Sequence, residues 1–213
     1  MNKSLTALFF SLFSIFFVYK FYGSNSLINE DDTLSVDYEN KQVGTSQFEA
    51  IMKQYGDQFS NYKNIELNFG VNKISNLKAL SYLQFCNQTE FLSLDFNNNR
   101  IFNTTGLEWL GNLYNLRKLE INLSLNSIDD VTQLQFLGNL QLLEEFTLNL
   151  AYCDLNNSNA FTILNTMMQL SPLRLKKMNI NLQGTSATES YVREINRIGS
   201  MFYKNAKVTI TLP

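Results

Sequence analysis

Few residues of this chain are of a type that could do chemistry. There is no histidine, so the commonest general base and the commonest metal ligand are both missing. The two cysteines, Cys86 and Cys153, are too few for a disulfide framework, and we expect both to be buried thiols. The acidic pair Asp129–Asp130 is interpreted as charge at a helix start, and Glu144–Glu145 as part of a solvated loop. We therefore predict no catalytic residue, no metal site, no small-molecule cofactor and no enzyme activity.

The composition favours one folded domain. Of the 213 residues, 45% are hydrophobic and 17% are charged, which is enough apolar material for a sizeable core. The formal net charge is −2, so the basic face that binds nucleic acid is not expected.

The N-terminal segment is apolar. Its hydrophobic run from Leu5 to Tyr19 predicts a helix, and residues 1–26 are interpreted as a signal peptide or a membrane anchor. If the segment is uncleaved, residues 5–22 would be the part in the membrane. Lys3 precedes the run and acidic residues follow it at 29–32, which places the main domain on the non-cytoplasmic side. An organellar membrane is the alternative. Residues 27–32 are interpreted as a linker.

The rest of the chain repeats itself. Leu119, Ile121 and Leu123 alternate as in a strand, and Asn126 and Ile128 follow. The same spacing begins again at 65, 92 and 146, so the period is 27 residues, and less regular copies begin at 34, 178 and 208. Between the strands, apolar residues recur every three positions, and the tetrapeptide LGNL occurs at 110–113 and again at 137–140. This spacing is typical of a narrow helical or 3₁₀ stripe.

This pattern resembles the leucine-rich repeat family. The segment LRKLEINLSLNSI, residues 116–128, matches the consensus L-x-x-L-x-L-x-x-N-x-L with one additional alternating pair. The resemblance implies an α/β solenoid over residues 33–213, with about seven parallel strands on its concave face and helices on its convex face. The unit length is similar to that of the long-repeat, ribonuclease-inhibitor-like subclass. The many asparagines are similar to those of ciliate leucine-rich-repeat proteins.

The asparagine that follows each strand is predicted to hold the turn. Its side-chain amide can bond backbone groups of its own unit and of the neighbouring unit. Cys153 takes this position after the strand that begins at 146, and Thr185 takes it in the next unit.

The residues between the core positions of each strand are predicted to face solvent on the concave side. They form two columns. The first column is Ser35, Glu66, Ser93, Glu120, Thr147, Asn179 and Thr209. The second column is Asp37, Asn68, Asp95, Asn122, Asn149, Asn181 and Thr211. Proteins that this chain resembles usually bind other proteins there. The column residues from Glu66 to Asn181 are therefore the candidates for partner binding. The columns contain no aromatic residue, and a solvated polar face is the alternative interpretation.

Two aromatic residues flank these columns. Tyr152 is a further candidate for partner binding, although its parity with the core residues is also compatible with inward packing. Trp109 is interpreted as semi-buried packing in a helical segment.

Two functions follow from this pattern. The first is a non-catalytic protein-protein interaction module, secreted or membrane-tethered, that binds a protein partner through the concave face. The alternative is a structural subunit of a larger membrane-associated assembly, in which a partner covers the edge of the last strand, VTITL.

Overall fold

The computed structural model describes residues 27–29, 32–171, 173–188 and 203–211, together with positions 190, 193, 196, 197, 199 and 201. The hydrophobic helix expected over residues 5–22, like all of residues 1–26, lies outside these ranges. Within them, no helix combines the length and the apolar character that a membrane crossing needs.

Eight strands form one sheet in the order in which they occur along the chain. They are β1 (Leu27–Asn29), β2 (Thr33–Asp37), β3 (Asn64–Asn68), β4 (Phe91–Asp95), β5 (Lys118–Asn122), β6 (Glu145–Asn149), β7 (Lys177–Asn181) and β8 (Lys207–Thr211). Strands β2 to β8 are parallel, which confirms the predicted number of repeating strands. Strand β1 is antiparallel to β2 and lies in the segment interpreted as a linker.

The connections carry helices of two kinds. The α-helices are α1 (Thr45–Phe59) and α2 (Asn157–Gln169), and the 3₁₀ helices are η1 (Lys78–Leu83), η2 (Leu107–Asn112) and η3 (Thr132–Asn139). The α-helices occur where the strand starts are 31 or 32 residues apart, and the 3₁₀ helices occur in the 27-residue units. The extra residues are about one α-helical turn, so the length of a unit decides which helix it can hold.

The core lies between the sheet and the helices. Leu119, Ile121 and Leu123 are at most 1% exposed, as the alternation predicts. Three aromatic rings at the strand exits form a stack, in which the ring centroids of Tyr38 and Phe69, and those of Phe69 and Phe96, are 5.6 Å apart. No unit buries its apolar side chains alone, because each row packs on the rows before and after it.

Candidate functional site

The strand register confirms the geometry of the two predicted columns. Ser35 lies beside Glu66, and the series continues in register to Thr209; Asp37 lies beside Asn68, and that series continues to Thr211. Neighbouring strands are about 4.8 Å apart, so each column is a continuous row of polar side chains. The structure therefore brings the candidate residues of the columns together on one face.

The side chains of the second column hold the backbone turn that follows each strand. In six consecutive strands, a side-chain oxygen of the column residue accepts a hydrogen bond from the backbone N–H two residues later. These bonds run from the N–H groups of Glu39, Gly70, Asn97, Ser124, Ala151 and Gln183 to Asp37, Asn68, Asp95, Asn122, Asn149 and Asn181, at 2.9–3.3 Å. This pattern is an Asx turn, and it marks the point where the strand ends and the chain reverses. One side-chain oxygen of each of these six residues is therefore already used, and this explains why all six are Asp or Asn.

A third column on the same face was missed by the sequence interpretation. It consists of the first residues of the strands, which are Thr33, Asn64, Phe91, Lys118, Glu145, Lys177 and Lys207. The Lys118 ammonium lies 4.6 Å from the centre of the Phe91 ring and 2.9 Å from the Glu120 carboxylate. The concave face is thus neither free of aromatic residues nor purely acidic. The period-2 alternation could have revealed this column if each predicted strand had begun one residue earlier.

A ladder of ion pairs borders this third column. Arg117 lies 3.5 Å from Glu90 and 2.8 Å from Glu144, and Glu144 also pairs with Lys176. The hydrogen bonds from Lys176 and then Arg117 hold the pKa of the Glu144 carboxyl below its usual range. The interpretation of Glu144–Glu145 as a loop was wrong for Glu145, which is the first residue of β6. Its place in the sheet follows from pairing with Lys118 in β5.

The asparagine turns are confirmed in detail. The Asn126 amide donates to the carbonyl groups of Phe96, Leu123 and Ser124 at 3.0–3.2 Å, and its oxygen accepts from the Ile101 N–H at 2.9 Å. One side chain therefore satisfies buried backbone groups in two adjacent units. Asn72 and Asn99 make the corresponding bonds.

Cys153 and Thr185 hold the same position with fewer bonds. The Cys153 thiol donates to the Leu123 carbonyl at 3.3 Å, and the Thr185 hydroxyl donates to the Leu182 carbonyl at 2.8 Å. Burial raises the pKa of the Cys153 thiol, and it raises the pKa of Cys86 to about 12. Both cysteines are free and buried, as predicted.

One turn residue in each unit has a left-handed backbone. These residues are Asn40, Val71, Asn98, Leu125, Tyr152 and Gly184, with φ between 51° and 70°. Left-handed geometry is costly for residues with a large Cβ substituent. It also turns the side chain away from the core, so Tyr152 is 54% exposed and does not pack inward despite its parity. The Tyr152 ring lies beside Gly184, at the rim of the concave face.

The remaining chemical candidates have structural roles. Asp130 accepts hydrogen bonds from the backbone and hydroxyl of Thr132, the first residue of η3, and these bonds lower its pKa. Asp130 thus lies just before Val131, the N-cap of η3, and bonds the first N–H group of that helix. Trp109 is half-buried in η2, as expected. In the described part of the chain, no group of three potential ligands could hold a metal ion.

These observations define the class of fold. Parallel five-residue strands, a turn and a short helix recur in the same order along the chain, and this is the architecture of a leucine-rich-repeat-like α/β solenoid.

Comparisons with known proteins find similarity among solved structures only. No protein-family model matches the chain, and no curated protein matches it. The crystal structure of internalin C2 from Listeria monocytogenes is similar, with a TM-score of 0.38 and 15% sequence identity. The match covers 83% of this chain and 80% of that chain.

Proposed function

We propose that this protein is a non-catalytic interaction module that binds a protein partner through its concave face. The observation that carries the proposal is the face itself: three columns of side chains present charged, amide, hydroxyl and aromatic groups on a rigid sheet. A pre-formed surface lowers the entropic cost of binding a second protein.

The first and third columns are the better candidates for direct contact. The side-chain oxygens of the second column hold the turns, whereas Glu66, Lys177 and Lys207 of the other two columns are exposed. Tyr152 adds a large, exposed aromatic ring at the rim, and tyrosine is a frequent centre of binding energy at interfaces.

We propose that the chain is secreted or is held at a membrane through residues 5–22, with the solenoid on the non-cytoplasmic side. We also propose that it is most similar to long-repeat, asparagine-rich members of the leucine-rich repeat family.

Affinity purification of the native protein from its source tests the location. A mature chain that begins at Leu27 supports cleavage, and a membrane-bound chain with Met1 intact supports an anchor. Recovery of the intact chain in the cytosol contradicts both.

Paired variants test the concave face. We expect Glu120→Lys with Thr147→Lys to lose partners that the wild-type chain captures, because both residues lie centrally in the first column. Glu49→Lys with Asn165→Lys makes the same change of charge on the convex side, where both residues are exposed, and should retain those partners. Equal capture by the two variants would contradict the proposal.

A further inference from the structure

Charge on the concave face is sorted along the solenoid. Strands β2 to β4 carry the outward carboxylates of Asp37, Glu66 and Asp95, which lie in the first two columns. Strands β7 and β8 carry the outward ammonium groups of Lys177 and Lys207, in the third column. The middle of the face carries both signs: Lys118 and Glu120 form an ion pair at β5, and Glu145 of β6 lies beside Lys177 in the third column.

The charges at the two ends are available to a partner. Among the described residues, no ion pair involves Asp37, Glu66, Lys177 or Lys207, and all four are exposed. At the acidic end, Glu66 and its neighbours line a shallow groove of about 340 Å³. A protein that docks here must offer positive charge near β2–β4 and negative charge near β7–β8.

We propose that a second copy of this chain is such a partner, and that two concave faces pair about a twofold axis parallel to the strands. This axis reverses the strand order, so that β2–β4 of each copy face β7–β8 of the other. A twofold interface uses one surface twice and must therefore be complementary to itself. The sorted charges meet that condition, whereas a twofold axis across the strands would place like charges together.

The geometry of packed sheets suits this arrangement. The lysines of the third column are two residues away from the first column along a strand, which is about 7 Å. Packed sheets cross at about 30°, and this rotation displaces the ends of one sheet relative to the other by a similar distance. Because a concave sheet approaches its copy most closely at the two ends, the end charges would dominate the contact.

Charge reversal at either end tests the pairing. The acidic-end variant is Ser35→Lys with Glu66→Lys, which leaves the Asx turns intact. The basic-end variant is Lys177→Glu with Lys207→Glu. As a control, Lys53→Glu with Lys78→Glu makes the same change of charge at exposed residues on the convex side. Sedimentation velocity of the full-length chain in mild detergent measures the association, and circular dichroism checks that each variant is folded.

We expect the wild-type chain to dimerise and to dissociate as salt is raised, since salt screens exposed charges. Each end variant should weaken the dimer at least about tenfold, which is roughly 1.4 kcal/mol, and the control should not. A mixture of the two end variants should recover a heterodimer. If the basic-end variant does not fold, Lys177→Gln with Lys207→Gln replaces it. This neutral variant should weaken the dimer less than charge reversal would.

Two results would overturn the pairing. One is a wild-type chain that stays monomeric up to about 100 μM at low salt, a concentration at which even weak association is visible. The other is a dimer that neither end variant weakens. The inference rests on the proposed use of the concave face, but the two can fail separately. A monomer that still captures other proteins through Glu120 and Thr147 refutes only the pairing.

Discussion

At the scale of single residues, the turn asparagines show how a polar side chain can belong in a core. Asn126 is 5% exposed, yet each of its polar atoms has a backbone partner. Its removal would leave carbonyl and N–H groups of two units unsatisfied. The half-buried Asn122 is used in another way, since its oxygen accepts from the N–H and the hydroxyl of Ser124.

Asn126→Ala should therefore be strongly destabilising. Each buried polar group left unsatisfied costs about 1–3 kcal/mol, and we expect the free energy of unfolding to fall by roughly 2–4 kcal/mol. Asn126→Cys should cost less, because Cys153 holds the same position in the next unit with a bond from its thiol. Urea unfolding of the two variants measures the difference. Equal stability of the alanine variant and the wild-type chain would contradict the assigned role.

The ionic ladder makes a prediction about pH. Because the pKa of Glu144 is lowered in the folded chain, its ion pairs stabilise the fold fully at pH values above the ordinary glutamate pKa of about 4.3. This contribution is lost as the pH falls through the lower value of the folded state. Lys176→Gln should raise the pKa of Glu144 towards its usual range, and the exposed control Lys204→Gln should not. Carboxyl NMR titration measures both, and an unchanged pKa in Lys176→Gln would show that the pair has no influence.

The left-handed turn residues predict a stabilising substitution. Val71 has φ of 57°, a conformation that costs a β-branched residue about 1–2 kcal/mol and that asparagine tolerates. Val71→Asn should thus raise the free energy of unfolding by up to about 1 kcal/mol. Asn98→Val, at the same position of the next unit, should lower it by a similar amount. Thermal unfolding compares the two, and shifts of the same sign would refute the explanation.

At the scale of elements, α1 depends on the aromatic stack beneath it. Phe48 of α1 packs edge-on against Phe69 and Phe96, with centroid distances of 4.9 and 5.3 Å. In later units Leu123 and Leu150 take the place of the stacked rings, and the convex elements above them are 3₁₀ helices or a shorter α-helix. The first unit is therefore held by aromatic contacts that span three strands.

Phe69→Ala should loosen α1 more than the other helices. Loss of a buried phenylalanine costs about 3–5 kcal/mol, and Phe69 contacts both the stack and α1. Hydrogen exchange should report the largest loss of protection in α1 and β2–β4. Phe102→Ala is the control, because Phe102 is 52% exposed and should change stability by less than about 0.5 kcal/mol. Uniform loss of protection across all units would argue against a local role.

At the scale of the whole molecule, stability is shared between neighbours. Ile121 is 1% exposed in the central strand β5, and Leu94 and Leu148 lie beside it in register. A charge there cannot be buried without a large cost. Because each unit is stable only through its neighbours, damage to one should spread to the next.

Ile121→Asp should therefore unfold several units together. Hydrogen exchange should show that β4, β5 and β6 lose protection at the same denaturant concentration. Asn179→Asp introduces the same charge on the solvent-facing column, between Thr147 and Thr209, and should leave the midpoint of unfolding nearly unchanged. An Ile121→Asp chain that melts like the wild-type chain would falsify the assignment of this position to a shared core.

The sequence by itself determined the repeating strand, the inward rows and the turn asparagines, because these depend on local alternation and on a regular period. It also placed the first two columns on one face. Only the tertiary structure decided where each strand begins. That start is fixed by pairing between units, as when the N–H groups of Arg117 and Lys118 both donate to the Glu90 carbonyl.

Pairing between strands also explains which features the sequence alone did not predict. The third column and the place of Glu145 in β6 depend on hydrogen bonds between strands of different units, far apart in sequence. The antiparallel strand β1 pairs locally with β2, but over only three residues, too few to show an alternation. The outward turn of Tyr152 depends on a left-handed backbone that alternation does not encode. Local pattern therefore established the unit, whereas the long-range bonds between units decided which side chains the concave face presents.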